Sequence, residues 1–270
     1  MRAFGLAIAG FAAAFTISSA TALLAADAQD LSQDRIDDIV QKFAAKEAAF
    51  AQARENYTYK QTARVQTLDP GGASTGKWET VSDITFSPAD GKRMEHVTYS
   101  PVSTLTEVQL TPEDMEDLKS VQPFVLTTAE LPKYLIRYLG RQKVDEIGCY
   151  VFAVKPKKME PGLRYFEGEV WVDDRDLQIV KSYGRGVGKL HRNEDQQFPK
   201  FETYREQIDG KYWFPTYTIA NDTLHFKDND VRLKQTVRYE DYKQFKAKSS
   251  ISFGTEADDP KKDPAPAKKP

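Results

Sequence analysis

The chain has 270 residues, 40% of them hydrophobic, with 38 basic and 40 acidic side chains for a formal net charge of -2. Near-neutral charge excludes a general polyanion binder, which needs a surplus of Lys and Arg on one surface. One cysteine, Cys149, excludes an internal disulfide framework and a cysteine-built metal site, and three widely spaced histidines (His96, His191, His225) make a histidine-built metal centre a poor fit.

Met1 to Ala28 reads as an export signal. Arg2 supplies the charge, Phe4 to Leu24 is an uncharged apolar run, and Ala26-Asp27-Ala28 is an A-x-A-type cleavage site. Cleavage near Ala28 removes Arg2 and Asp27 and leaves the net charge at -2. No cysteine stands near that site to carry a lipid, so the expected product is a soluble exported protein. Leu31 to Asn56 is predicted to be an amphipathic helix, because Ile36, Ile39, Val40, Phe43, Ala44 and Phe50 recur at three- and four-residue spacing. Ser32 or Asp34 can cap it.

From Tyr57 the period changes to two. Tyr57, Tyr59, Gln61, Ala63 and Val65 alternate with more polar residues as a half-buried strand. Further strands are predicted at Trp78 to Phe86 and, beyond an Asp90-Gly91 hairpin signal, at Arg93 to Tyr99. Thr111-Pro112-Glu113-Asp114 opens a short helix with a cap, a first-turn proline and dipole-matched acids. Gln122 to Tyr138, apolar and interrupted by prolines, reads as a packed loop with a helical turn.

Strands resume near Glu146 to Lys155, Phe166 to Asp173, Gln178 to Gly184, Lys200 to Ile208, Trp213 to Asn221 and Asp230 to Tyr242. Short turns such as Asp173-Asp174-Arg175-Asp176 and Asp209-Gly210 imply antiparallel hairpins rather than βαβ crossovers. The run Ile147 to Val154 is apolar at nearly every position, so both faces of the sheet are covered there. Cys149 inside it is expected to be buried and inert. After Gly254 the chain consists of Thr and Glu followed by Ala, Asp, Lys and Pro, a tail without means of burying apolar area.

Catalytic chemistry is not written in the sequence. Gly184-Arg185-Gly186-Val187-Gly188 lacks the following helix that a phosphate loop needs, and is read as a flexible loop. Ser100, Ser103 and Ser120 lack a G-x-S-x-G turn. No cofactor and no nucleic-acid partner is implied. What stands out is strand aromatics in excess of one packed face, and a curved sheet with two apolar faces encloses an apolar cavity. Tyr59, Trp78, Phe86 and Trp171 are the expected lining of that cavity.

The order of elements resembles the periplasmic lipoprotein-carrier superfamily, which includes LolA-like carriers, LolB-like receptors and the lipid-sensing domain of RseB. The resemblance is carried by Tyr150-Val151-Phe152-Ala153-Val154-Lys155-Pro156, Val170-Trp171-Val172-Asp173, Leu177-Gln178-Ile179-Val180-Lys181, Glu206-Gln207-Ile208-Asp209-Gly210-Lys211-Tyr212-Trp213-Phe214-Pro215 and Tyr239-Glu240-Asp241-Tyr242-Lys243-Gln244-Phe245. It implies a mainly β, α+β fold: a large curved antiparallel sheet, or half-barrel, with helices over its concave face, formed by residues 29–254. It also implies a monomeric, non-catalytic periplasmic protein that holds lipoprotein acyl chains and exchanges them with a membrane-bound donor or acceptor. The functional arginine of the family has Arg64 and Arg93 as its candidates here. Two rivals are a sensor or scaffold working through the sheet edge, and an exported hydrolase whose site assembles only in the fold.

Overall fold

The structure is a computed structural model and describes residues 31–189 and 197–245. The expected export signal 1–28, His191 and the tail 255–270 lie outside the described residues. One antiparallel sheet of ten strands dominates, in the order β3-β2-β1-β10-β9-β8-β7-β6-β5-β4. The strands are β1 (Tyr57–Leu68), β2 (Ser74–Phe86), β3 (Arg93–Tyr99), β4 (Tyr134–Val144), β5 (Ile147–Pro156), β6 (Tyr165–Asp173), β7 (Ile179–Val187), β8 (Phe201–Gln207), β9 (Trp213–His225) and β10 (Asp230–Gln244). The sheet is open, with β3 and β4 as its edges, so it is a half-barrel rather than a closed barrel.

Two helices lie on its concave face. The first, α1 (Gln33–Arg54), starts at Ser32, whose side chain accepts a hydrogen bond from the Arg35 amide. Its buried stripe is Ile39, Phe43, Ala44, Glu47 and Phe50, and most of it joins Phe152, Val170, Ile179 and Phe201 in the main core. The second, α2 (Pro112–Glu116), is held by a reciprocal capping box between Thr111 and Asp114. It continues as a π-helical turn over Asp117–Val121.

Register explains how these helices approach the sheet. Along the concave face one row of cross-strand neighbours runs Ala63, Val237, Thr218, Thr203, Ser182, Val170 and Phe152. Its middle is built from short side chains, which leaves room for the helical layer above. Thr203 Oγ1 donates to the Gln122 carbonyl at 2.9 Å, pinning the end of the π turn to that row. The adjacent row runs Trp78, Val65, Gln235, Ala220, Phe201, Gly184, Gly168 and Val154. A side chain at Gly168 or Gly184 would strike the neighbouring backbone and the Phe166 ring, so these glycines make space for that ring.

Two expectations are corrected. The segment ending at Tyr138 is not all loop: β4 begins at Tyr134, after a 3-10 turn at Leu131–Lys133. A register shift between Tyr138 and Gly140, where Gly140 has φ 113°, breaks the alternation that would have revealed the strand. Gly184 to Val187 is likewise strand, the far half of β7, rather than flexible loop. Its glycines serve packing: a Cβ on Gly186 would lie 1.9 Å from Asp117 Oδ2.

The double cover expected at Ile147 to Val154 is present. Tyr150, Phe152 and Val154 face the helices, while Cys149 and Val151 pack on the convex face with Trp171 and Val180, flanked by Trp213.

Candidate functional site

The concave face is only partly filled by the helices. Along β1 the inward residues are Tyr59, Gln61, Ala63 and Val65, and the π turn crosses at Ala63, where Leu118 packs with Val237 and Tyr239. A cavity opens on each side of that crossing. The one beyond Val65 has a volume of about 580 Å³, and the one around Tyr59 about 790 Å³. Both fall in the range of roughly 300–1,000 Å³ usual for small-molecule sites.

The smaller cavity is floored by Val65, Leu233, Leu224 and Phe201, and walled by Leu118, Leu110 and Phe226. Its floor exists because strand alternation sends Val231, Leu233, Val237 and Tyr239 of β10 inward while Arg232, Lys234 and Arg238 turn out. Gln235 stands on the same inward register and is only 6% exposed. Its Nε2 and the Oε1 of Gln122, which also lines the cavity, are buried without a hydrogen-bond partner among the described residues. An unmet buried polar group costs about 1–3 kcal/mol.

Asp117 borders this cavity and forms a bidentate pair with Arg164 at 2.8 and 2.6 Å. Burial pushes its carboxyl up to about 6, against the pull of the guanidinium. Arg164 in turn lies over the Phe198 ring, 3.9 Å from its centroid.

The larger cavity is more polar. Tyr59, Phe86, Tyr239 and Tyr242 meet Arg54, Arg93 and Glu95 around it. Arg93 bonds Glu95 and Gln61, each at 2.9 Å, and Ser82 donates to Glu95. Burial raises the Glu95 carboxyl, but the Arg93 and Ser82 hydrogen bonds outweigh it and leave it below its ordinary value.

The four aromatic residues expected in the lining are separated by the fold. Tyr59 and Phe86 line the larger cavity, with Tyr59 stacked on Tyr242 at 5.1 Å. Trp78 faces Val65 across the β1–β2 ladder and packs on the Leu224–Leu233 cluster that floors the smaller cavity. Trp171 is on the other side of the sheet, because its neighbours Val170 and Val172 take the inward register. Its indole donates to Gln142 and Lys181 sits over its ring. Of the two arginines, Arg93 faces the groove, whereas Arg64 turns outward to pair with Glu79 at 2.8 Å.

Sequence reasoning missed Gln122, Gln235 and the aliphatic floor. A signal for Gln235 was present, since it is a lone amide on the apolar register of β10. Nothing in the sequence marked Gln122. Among the described residues no group of three or more His, Cys, Asp or Glu side chains is placed to hold a metal ion.

No protein-family model matches the sequence, and no curated protein matches it. Among solved structures the chain is similar to a DUF1329 family protein from Desulfovibrio piger, at 11% identity and TM-score 0.38, over 77% of this chain and 92% of that one. It is similar to a LolA superfamily protein from Nitrosomonas europaea, at 14% identity and TM-score 0.34, over 77% and 93% of the two chains. A third, an outer membrane lipoprotein-sorting protein domain from Vibrio parahaemolyticus, has 11% identity and TM-score 0.34 over 80% and 95%.

Proposed function

We propose that this protein is a non-catalytic periplasmic carrier that takes an acyl chain or a similarly apolar group into the concave side of its sheet, in the service of lipoprotein sorting. The observation that carries this reading is the cavity of about 580 Å³ floored by Val65, Leu224, Leu233 and Phe201. Each methylene moved from water into such a lining is worth about 0.8 kcal/mol. Trp78 backs the floor, and on the far side of Leu118 Tyr59 and Phe86 line the second, more polar cavity.

A second reading, a scaffold acting through the sheet edge, has its own support. On edge strand β3 the side chains of Met94, Val97 and Tyr99 are 47%, 50% and 54% exposed, and an unpaired edge accepts an added strand.

Binding of a fluorescent fatty-acyl probe separates the two. The carrier binds it at micromolar concentration, and Leu110→Asp, placed in a loop wall rather than the sheet, weakens binding at least roughly ten-fold with little change in melting temperature. Trp78→Asp weakens it through the floor. Trp171→Phe, on the convex face, leaves it unchanged. A folded protein that takes up no acyl probe or lipopeptide removes the carrier reading in favour of the edge-strand scaffold.

A further inference from the structure

We infer that the cavity of about 580 Å³ contains a polar subsite, made by Gln235 and Gln122, that selects acyl ligands whose polar end is neutral and both donates and accepts hydrogen bonds. The inference rests on the carrier reading above and adds to it the chemistry of the ligand's head. Gln235 is set among apolar neighbours: its register partners on the concave face are Val65 on β1 and Ala220 on β9. Gln122 is 3% exposed, and its backbone carbonyl is already engaged by Thr203. Two amides are therefore held in an apolar cavity with one donor, Gln235 Nε2, and one acceptor, Gln122 Oε1, unpaired among the described residues. Buried polar atoms are seldom left without a partner, and a ligand's polar end is one group that can supply it.

A group that satisfies both must accept one hydrogen bond and donate another. A carboxamide does so, as does a hydroxyl; an ester only accepts. A carboxylate also only accepts, and it meets the wrong charge here. Glu107, Asp114, Asp117 and Asp228 line the same cavity; even with Lys227 in the lining and Arg164 paired to Asp117, acids outnumber bases around it. The surplus of acids disfavours a further negative charge there. The subsite thus disfavours fatty carboxylates and favours amide-headed acyl chains.

Three ligands with one chain and different heads test this: oleamide, methyl oleate and oleate, each competing with the fluorescent acyl probe on the full chain at neutral pH. Oleamide is expected to displace the probe at roughly ten-fold lower concentration than either of the others. Gln122→Leu, which removes the acceptor, should bring oleamide to the level of methyl oleate while methyl oleate itself is unaffected, whereas Gln235→Leu, which removes the donor, should weaken both ligands. Equal displacement by all three ligands, or a preference for oleate, overturns the subsite and leaves the carrier reading standing. No binding of the probe or of any of the three overturns both. The wild-type ranking decides the question even if a variant fails to fold.

Discussion

Asp117 and Arg164 illustrate how a residue pair can be held at an energetic cost. The carboxyl is raised to about 6 mainly by burial, with Asp114 and Glu116 adding repulsion and Arg164 opposing both. A carboxyl whose folded value exceeds its unfolded one binds a proton more tightly in the native state, so stability is greatest below the unfolded value and is lost as pH rises through the folded one. The expected outcome is an unfolding free energy, read from urea denaturation, that falls between about pH 4 and pH 6 by on the order of 3 kcal/mol and is flat above. Asp117→Asn should flatten that slope. Below about pH 4 the trend reverses, because Glu79 and Glu95 are held low by Arg64, Lys77 and Arg93 and lose those partners on protonation. Cys149 makes a second residue-level test. Burial, helped by Asp173, pushes its thiol up to about 11, so it should resist thiol reagents in the native protein at pH 8 and react on unfolding. Cys149→Ser should cost about 1–3 kcal/mol and leave acyl binding intact.

At the level of elements, a buried ion pair adds to the apolar stripe that places α1. Glu47, 0% exposed, accepts two bonds from Arg205 at 3.1 Å and one from the Ile179 amide, while Arg205 also donates to the Phe124 carbonyl. The pair thereby joins α1, β7, β8 and the segment after the π turn, with the Arg205 guanidinium lying 5.2 Å from the Phe50 ring centroid. Removing one partner strands a buried charge. Glu47→Ala should therefore lower stability by about 3–5 kcal/mol in chemical denaturation, whereas Glu47→Leu combined with Arg205→Met should recover most of that loss. A double variant as unstable as the single one would show that the pair contributes orientation that apolar packing does not replace.

The two ends of the chain are joined by a long-range pairing. The first strand, β1, pairs antiparallel with the last, β10, from Leu68↔Arg232 to Tyr57↔Gln244, with one register shift between Thr58 and Lys60. Because that ladder sits inside the sheet rather than at its edge, strands β1–β3 cannot separate from the rest without breaking it. Residues 31–254 are accordingly expected to unfold as one cooperative unit, with fluorescence and circular dichroism transitions that coincide. Limited proteolysis that produced two stable fragments divided near residue 140 would contradict this.

Much of this architecture is legible in the chain because period and capping are local. The helix at Gln33–Arg54, the capping box at Thr111 and nine of the ten strands follow from 3.6- and 2-residue alternation and from turn chemistry within a few residues. β4 escaped because a bulge at Gly140 interrupts its alternation, and the Gly184–Gly188 run misled because its glycines serve neighbours distant in sequence. The cavity belongs to the second kind of information. Alternation tells that Tyr59, Trp78, Phe86 and Trp171 sit on strands, but which side is concave depends on where α1 and the π turn pack. That choice put Trp171 outside and brought Gln122, from a helical turn, into the cavity that Gln235 borders from the last strand. Local patterning determines which residues must be buried; only tertiary packing decides against what, because the partners come from elements far apart in the chain.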